Sequence, residues 1–182
     1  MLVGLSGKAG SGKDETGYVL EAYGFLKVSF AAKLKRVAQD VFGLSRAETS
    51  DRALKELVVS RWGLSPRRIM QEVGKKMREI HQDIWVSCLD ELIAQGVSRI
   101  VVTDVRFPNE AYKIRDIGGE IWRIERPGAG SLTGSDDESE TALDQWPYDV
   151  VLYNDSDLSE LARKVGDIVA RRGWNNGKAE AL

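Results

Sequence analysis

A glycine-rich segment near the N-terminus has the residue types and spacing to bind phosphate. It reads Gly7-Lys8-Ala9-Gly10-Ser11-Gly12-Lys13-Asp14. It follows an apolar run, residues 1–5, and precedes a segment with a helical pattern. A turn of this kind between a strand and a helix points backbone N–H groups at the α- and β-phosphates, and its lysine reaches the β- and γ-phosphates. The segment therefore predicts a P-loop that binds a nucleoside polyphosphate.

The position after the P-loop lysine departs from the usual pattern. Ser or Thr commonly places a hydroxyl on Mg²⁺ there, whereas this chain has Asp14. Its carboxylate could bind the cation directly or through water. Alternatively, an acid in the first helical turn is stabilised by the helix dipole without touching a metal. The candidate ATP-binding residues are Gly7, Lys8, Gly10, Ser11, Gly12, Lys13, Asp14 and Glu15.

A second candidate site follows the apolar run Ile100 to Thr103, which is followed by Asp104 and Arg106. P-loop proteins place an acid at such a strand end, where it orients Mg²⁺ or holds a substrate group. The arginine fork can bind a phosphate and stabilise the charge that develops during phosphoryl transfer. A structural ion pair between these two residues is the alternative. The candidate catalytic residues are Lys13, Asp104, Arg106 and Arg126, and the candidate metal ligands are Asp14 and Asp104.

The elements that would position these residues alternate between strands and helices. Apolar, β-branched runs predict strands at residues 2–5, 26–30, 100–103, 120–124 and 150–153. This alternation predicts an α/β fold in three layers, a parallel sheet with helices on both faces, with ligands at the carboxyl ends of the strands. A long insertion between the second and third strands predicts helices at residues 31–42, 46–62, 66–81 and 84–95, the third capped by Ser65 with Pro66 at its first position.

The segment from residue 127 to residue 147 is rich in Gly, Ser and acids and contains no Lys or Arg. It predicts a loop or short lid, with Trp146 as a residue that could anchor it. Neutralisation of the phosphates must then come from elsewhere in the chain. The basic residues of the insertion are candidates, although a solvated helix face is the alternative for such a cluster.

Composition limits the remaining classes of protein. The 182 residues, 42% of them apolar, suffice for one domain with a sizeable core. A net charge of −2 argues against a general nucleic-acid-binding surface. The single Cys88 and the single His81 exclude a disulfide framework and a Cys/His zinc site. Without a secretory or membrane-spanning pattern, we expect a cytoplasmic protein.

Several motifs together resemble those of the phage-type deoxynucleoside monophosphate kinases. The first two are Gly12-Lys13-Asp14 and Asp104-Val105-Arg106-Phe107-Pro108-Asn109-Glu110. Three more lie in the insertion: Phe30-Ala31-Ala32-Lys33-Leu34-Lys35, Pro66-Arg67-Arg68-Ile69-Met70-Gln71 and Asp83-Ile84-Trp85. The resemblance extends over residues 1 to about 165.

This resemblance implies an adenylate-kinase-like P-loop NTPase fold in a single domain, residues 1–182. The core would comprise residues 1–30 and 97–172, the helical monophosphate-binding insertion residues 31–96, the lid residues 127–147 and a tail residues 173–182. It also implies phosphorylation of deoxynucleoside monophosphates by ATP with Mg²⁺, and a homodimer. We expect the protein to bind neither nucleic acid nor membrane, and to lie in the host cytoplasm if phage-encoded. The candidate substrate-binding residues are Lys33, Lys35, Arg67, Arg68, Gln71, Asp104, Arg106 and Asn109.

Two other functions stay open from the sequence. One is a P-loop kinase for another phosphorylated metabolite, such as dephospho-coenzyme A or phosphomevalonate. The other is a nucleotide-dependent regulatory switch. The sequence has no N-K-x-D element for reading guanine, and its D-x-x-G match at Asp116 to Gly119 follows a predicted helix rather than a strand. A GTPase switch is therefore disfavoured.

Overall fold

The computed structural model describes residues 1–130 and 141–175. The strands in this part of the chain are β1 (Leu2–Ser6), β2 (Leu26–Val28), β3 (Ile100–Val102), β4 (Glu120–Glu125) and β5 (Val150–Tyr153). The helices are α1 (Lys13–Glu21), α2 (Ala31–Phe42), α3 (Arg46–Ser50), α4 (Pro66–Ile80), α5 (Cys88–Ala94), α6 (Pro108–Asp116) and α7 (Leu158–Arg171), with a short 3-10 helix at Leu54–Glu56. In these residues, no helix is both long and apolar enough to cross a bilayer.

The chain divides into two compact units. The first comprises Met1–Ser29 and Leu92–Leu182, and the second comprises Phe30–Glu91. All the described strands belong to the first unit, and the second unit is helical.

The described strands of the first unit form one parallel sheet in the order β2-β3-β1-β4-β5. The register pairs Gly4 of β1 with Val102 of β3, and Ser6 of β1 with Arg123 of β4. Parallel strands end at the same edge of a sheet, so the segments after β1, β3 and β4 begin side by side. The predicted α/β fold with a parallel sheet is confirmed.

Helices cover both faces of this sheet. On one face, α1 and α7 bury Leu20, Leu161 and Val165 against strand residues that include Leu5 and Trp122. On the other face, α6 lies so close to β1 that a Cβ on Gly4 would come within 2.7 Å of Ile114. Burial of these apolar side chains supplies the main free energy that holds the layers together.

The second unit is built around the pairing of α2 and α4. Ala38, Leu44 and Ile69 form its buried apolar cluster. The predicted start of α4 is confirmed: the Ser65 side chain accepts a hydrogen bond from the Arg68 backbone N–H (3.3 Å), and Pro66 occupies the first turn. A serine cap and a proline at this position satisfy or remove N–H groups that have no partner within the helix.

The predicted helix over residues 46–62 is wrong. Helix α3 ends at Ser50, and Asp51 has an extended backbone with φ −70° and ψ 140°. The Asp51 carboxylate accepts hydrogen bonds from the N–H groups of Ala53 and Leu54, both at 2.9 Å. An aspartate side chain that binds nearby N–H groups competes with the helix, which explains the break.

The helix predicted over residues 84–95 is shorter than expected. Helix α5 begins at Cys88. Turns precede it, in which Ile84 N–H donates to His81 O (3.1 Å) and the Ser87 hydroxyl donates to Ile84 O (2.8 Å). The serine hydroxyl binds the local backbone and stabilises this turn, as serine does outside helices.

Trp174 packs on the core although it lies within the predicted tail. Its ring is parallel to that of Trp122, with centroids 6.2 Å apart, and is tilted against Phe25 at 5.7 Å. Its carbonyl accepts a hydrogen bond from Arg99 (2.8 Å). Residues 176–182 of the predicted tail lie outside the described residues.

We expect Trp174→Ala to lower the free energy of unfolding by about 2–3 kcal/mol, because it removes a partly buried aromatic contact with two core rings. Urea unfolding followed by fluorescence would measure this loss. Leu158→Ala, at a side chain 61% exposed, is the control and should change stability by less than about 0.5 kcal/mol. Equal effects of the two substitutions would contradict a packing role for Trp174.

Candidate active site

The P-loop connects β1 to α1, as the sequence predicts. Gly7, Gly10 and Gly12 have φ values of 144°, 79° and 103°. Gly12 is the N-cap of α1 and has no side chain to cap the first turn. Backbone N–H groups of an uncapped first turn, together with the helix dipole, form a binding site for an anion such as phosphate.

Close packing behind the loop requires glycine at its first position. A Cβ on Gly7 would lie 2.4 Å from the carbonyl oxygen of Ile124 and 2.7 Å from Ser11 Oγ. Both distances are shorter than van der Waals contact allows. Ser11 is buried, and among the described residues its hydroxyl has no hydrogen-bond partner.

Lys13 bends back over the loop that precedes it. Its ammonium donates hydrogen bonds to the carbonyl oxygens of Gly7 (2.6 Å) and Lys8 (2.8 Å). A charge-assisted hydrogen bond from an ammonium holds the loop carbonyls together. The same three-donor group can bind a phosphate oxygen in this position.

Asn154, which the sequence analysis missed, binds the P-loop from behind. Its Nδ2 donates to Ser11 O (2.9 Å), and its backbone N–H donates to Glu125 O (2.7 Å). The residue is only 4% exposed. Asn154 is the first residue after β5, and a polar residue at the carboxyl end of a parallel strand is the signal that could have indicated it.

The second candidate site lies beside the end of β1. The Val105 N–H donates to Leu5 O (3.1 Å), which keeps the segment after β3 next to β1. The Asp104 carboxylate is half-buried and accepts a hydrogen bond from Ser29 Oγ (2.7 Å). The sequence analysis also missed Ser29, which follows β2 at the same edge of the sheet.

Glu110 fixes the backbone at Arg106. Its buried carboxylate accepts hydrogen bonds from the N–H groups of Arg106 (2.7 Å) and Phe107 (3.1 Å). Glu110 lies in the first turn of α6, after Pro108. An acid at this position that reaches back to the preceding backbone is a known helix-start pattern. It was visible in the sequence, although we assigned it no role there.

Two cations converge on one carboxylate beside the P-loop. Asp144 accepts hydrogen bonds from Lys8 Nζ (2.8 Å) and Arg123 Nη2 (3.2 Å). Burial opposes ionisation of Asp144, but the hydrogen bonds and positive charges of Lys8 and Arg123 outweigh it, so the pKa of this carboxyl lies below its ordinary value. Arg123 also donates to the Tyr148 hydroxyl (3.1 Å).

The first unit brings together most of the predicted site residues. The P-loop candidates follow the carboxyl end of β1. Just after the carboxyl ends of β3 and β4 lie Asp104, Arg106 and Arg126, and Asn109 lies in the first turn of α6. Asp14 and Glu15 are exposed in the first turn of α1. The central part of the predicted lid, residues 131–140, lies outside the described residues. Trp146, predicted as its anchor, contacts Tyr112 with ring centroids 4.8 Å apart.

The other predicted substrate residues lie in the second unit. Lys33 and Lys35 are on α2, and Arg67, Arg68 and Gln71 are on α4. Three of them are in ion pairs: Lys33 with Glu91 (2.8 Å), Arg67 with Glu56 (2.5 Å) and Arg68 with Glu72 (2.6 Å). These exposed pairs contribute little to stability, so the cations could exchange their carboxylate partners for a phosphate at low cost.

The available side chains fit a nucleotide-bound cation better than a cation held by the protein alone. Within residues 1–130 and 141–175, no three His, Cys, Asp or Glu side chains are grouped closely enough to hold a metal. Magnesium keeps several waters and is commonly bound by one or two carboxylates together with substrate phosphates. Single acids such as Asp104 and Asp14 meet that requirement.

We expect Asp144→Asn to reduce the free energy of unfolding at pH 7 by about 0.5–1 kcal/mol, because a partly exposed ion pair is screened by solvent. The folded-state pKa is lowered, so this contribution is present at pH values above the unfolded pKa of about 3.9 and is lost as the pH falls through the folded pKa.

Urea unfolding at pH 7, 5 and 3 would measure the difference between the variant and the wild type. That difference should be similar at pH 7 and 5 and smaller at pH 3. Asp167→Asn, at an exposed pair with Arg163 on α7, is the control for a general charge effect. A difference that stays constant down to pH 3 would contradict the role of the Asp144 charge.

Comparisons with known proteins identify the family of this chain. A family model of deoxynucleotide monophosphate kinases matches residues 40–165. A protein of Acanthamoeba polyphaga mimivirus is 31% identical over 91% of this chain and 94% of its own length. That protein is named, by inference, a deoxynucleotide monophosphate kinase. The deoxynucleoside-5'-monophosphate kinase of Escherichia phage T5 is 39% identical over 29% of this chain and 22% of its own length.

Solved structures support the fold. TT1252 from Thermus thermophilus superposes with a TM-score of 0.56 at 18% identity, covering 94% of this chain and 97% of that one. Dephospho-CoA kinase from Campylobacter jejuni gives a TM-score of 0.50 at 12% identity, covering 96% and 98%. The P-loop, the sheet that carries it and the sequence matches lead to one conclusion: this chain belongs to the deoxynucleotide monophosphate kinase family, and it is a phosphotransferase that phosphorylates deoxynucleoside monophosphates.

Proposed function

We propose that this chain binds the phosphates of ATP at its P-loop and transfers the γ-phosphoryl group with the help of the adjacent segment at Asp104 and Arg106. One observation carries this assignment. The two segments follow neighbouring parallel strands, β1 and β3, and the hydrogen bond from Val105 to Leu5 keeps them side by side. The P-loop, Asp104 and Arg106 thus follow strands that end at one edge of the sheet.

The reaction requires no protein nucleophile and no strong base. An oxygen of the acceptor phosphate, already anionic at neutral pH, forms a bond to the γ-phosphorus of ATP. The bond from that phosphorus to the β,γ-bridging oxygen breaks, and ADP leaves with the electron pair. Catalysis then depends on holding donor and acceptor in line and on neutralising the oxygens that gain charge.

The cations of the first unit have distinct roles in this proposal. Lys13 exchanges its contacts with loop carbonyls for the β- and γ-phosphate oxygens, and Arg106 stabilises the transferring group. Arg126, exposed just after β4, is the third candidate for neutralising phosphate charge. Glu110 holds the Arg106 backbone in place.

Asp104 and Asp14 are the residues that would hold a nucleotide-bound Mg²⁺. When bound, such an ion neutralises phosphate charge and helps to orient the transferring group. Ser29, through its hydrogen bond to Asp104 Oδ2, fixes the orientation of that carboxylate.

On the acceptor side, we propose that Lys33, Lys35, Arg67, Arg68 and Gln71 of the second unit bind the deoxynucleoside monophosphate. Asn109 of the first unit is a further proposed substrate-binding residue. The support is the resemblance of their sequence segments to the family's motifs and the exposed ion pairs of Lys33, Arg67 and Arg68. A homodimer, a cytoplasmic location and the absence of a nucleic-acid partner also stay predictions.

The test of this proposal is an assay of ADP release with ATP and Mg²⁺. The acceptors are the four deoxynucleoside monophosphates, their ribose counterparts, dephospho-coenzyme A and phosphomevalonate. We expect turnover with at least one deoxynucleotide. Turnover confined to a non-nucleotide acceptor, or none with any acceptor despite ATP binding, would overturn the proposed reaction.

We expect Arg106→Ala to lower kcat by about 10²–10³-fold, because removal of a group that stabilises transition-state charge costs roughly that much. The Kd for ATP should change little, since the effect is on the transferring group. Arg163→Ala, at an exposed arginine on α7, is the control and should retain wild-type kcat. A variant with wild-type kcat would remove Arg106 from the catalytic residues.

We expect Arg67→Ala to raise KM for the deoxynucleotide acceptor by about tenfold or more, because one charge-assisted hydrogen bond is lost. The KM for ATP should change little. Steady-state kinetics with each substrate varied in turn would measure this. Lys76→Ala removes another exposed ion-paired cation from the same helix and should leave both KM values unchanged. Equal effects of Arg67→Ala and Lys76→Ala would contradict a specific role.

A further inference from the structure

Asn154 contacts the P-loop backbone and is in a position to set the shape of the loop. We infer that Asn154 is a positioning residue for the donor phosphates: through its hydrogen bond to Ser11 O, it orients the peptide that presents the Gly12 N–H to the phosphate chain. This inference rests on the proposed assignment of the P-loop to ATP. No motif in the sequence analysis included this residue.

The argument begins with the geometry of one peptide bond. Asn154 Nδ2 lies 2.9 Å from Ser11 O, and the described chain contains no cis peptide bond. In a planar trans peptide, the C=O of one residue and the N–H of the next point in opposite directions. Fixing Ser11 O toward Asn154 therefore fixes the Gly12 N–H in the direction away from it.

Gly12 begins α1, so the direction of its N–H matters for anion binding. It is the N-cap of the helix, and its N–H adds to those of the first turn. Rotation of the Ser11–Gly12 peptide would turn a carbonyl oxygen toward the phosphates in place of a donor. A single hydrogen bond from behind the loop can thus decide whether the loop attracts or repels an anion.

The packing around Asn154 indicates a specific contact. A Cβ on Gly12 would lie 2.3 Å from Asn154 Nδ2. The glycine at this position is therefore required by the approach of Asn154 as well as by its φ of 103°. Asn154 is itself held by the hydrogen bond of its backbone N–H to Glu125 O (2.7 Å) at the end of β4.

Burial makes the amide contact costly to lose. Asn154 is 4% exposed and Ser11 is 1% exposed. With little access for water to replace the donor, removal of the amide leaves the Ser11 carbonyl without this hydrogen bond in a desolvated place. The loop can relieve that loss by rotating the peptide, which is the change that would weaken phosphate binding.

Two substitutions separate the donor from the volume of the side chain. Asn154→Ala removes both, whereas Asn154→Asp keeps the size but replaces the NH₂ donor with an acceptor. Leu152→Ala, at a buried β5 position two residues earlier, is the matched control because it destabilises the same strand and removes no side-chain hydrogen bond. The measurements are Kd for ATP and for inorganic tripolyphosphate by calorimetry, KM for the deoxynucleotide, and Tm.

We expect both Asn154 variants to raise Kd for ATP and for tripolyphosphate by about tenfold or more, because the buried hydrogen bond to Ser11 O is lost and the Gly12 N–H is misdirected. The KM for the deoxynucleotide acceptor should stay within about twofold of the wild-type value, since the effect is confined to the loop. Leu152→Ala should lower Tm yet bind both ligands with wild-type affinity at a temperature where it is folded.

Three results would overturn the inference. The first is that both Asn154 variants bind ATP and tripolyphosphate with wild-type affinity. The second is that Asn154→Asp alone does so, which would indicate a space-filling role. The third is that Leu152→Ala loses as much affinity as the Asn154 variants. Lys13→Ala distinguishes this failure from failure of the proposed ATP site. If Lys13→Ala abolishes ATP binding while Asn154 variants do not weaken it, only the role of Asn154 is wrong. If the wild type does not bind ATP, or Lys13→Ala binds it normally, both proposals are wrong.

Discussion

The parallel pairing of β1 with a strand on each side is the constraint on which the site depends. Because β3 and β4 run in the same direction as β1, the segments that follow all three begin at one edge of the sheet. The P-loop, Asp104 and Arg126 reach that edge from positions up to about 120 residues apart in sequence. The backbone hydrogen bonds of the sheet bring these residues together.

Electrostatic balance beside the P-loop comes from residues on several elements. The segment from residue 127 to residue 147 offers no cation, but Lys8 of the loop and Arg123 of β4 share the Asp144 carboxylate. This arrangement keeps two positive charges near an anion site while one carboxylate partly neutralises them. A lysine held in a partly exposed ion pair is easier to transfer to a phosphate than one in a buried pair. This exposed pairing favours the proposed role of Lys8 in binding the donor phosphates.

Local competition for the backbone explains where the sequence analysis was wrong. The apolar spacing over residues 46–62 predicted one helix, but Asp51 binds the N–H groups of Ala53 and Leu54 and ends α3. Ser87 likewise stabilises a turn before α5. Apolar periodicity reports which residues are buried, whereas these short polar side chains decide where a helix begins or ends. Trp174 differs in kind: its core position depends on Phe25 and Trp122, which are distant in sequence.

The sequence by itself determined the P-loop, the alternation of strands and helices, the capped start of α4 and the family. Each of these depends on residue types at short spacing, which local chemistry imposes. Only the tertiary structure decided the strand order, and with it the hydrogen-bond partners of Asn154, Ser29, Asp144 and Arg123. These residues act through partners that are distant in sequence: Asn154 reaches Ser11 across 143 positions, and Ser29 reaches Asp104 across 75. No local pattern encodes such pairs, because they form only when parallel strands from distant segments pack into one sheet.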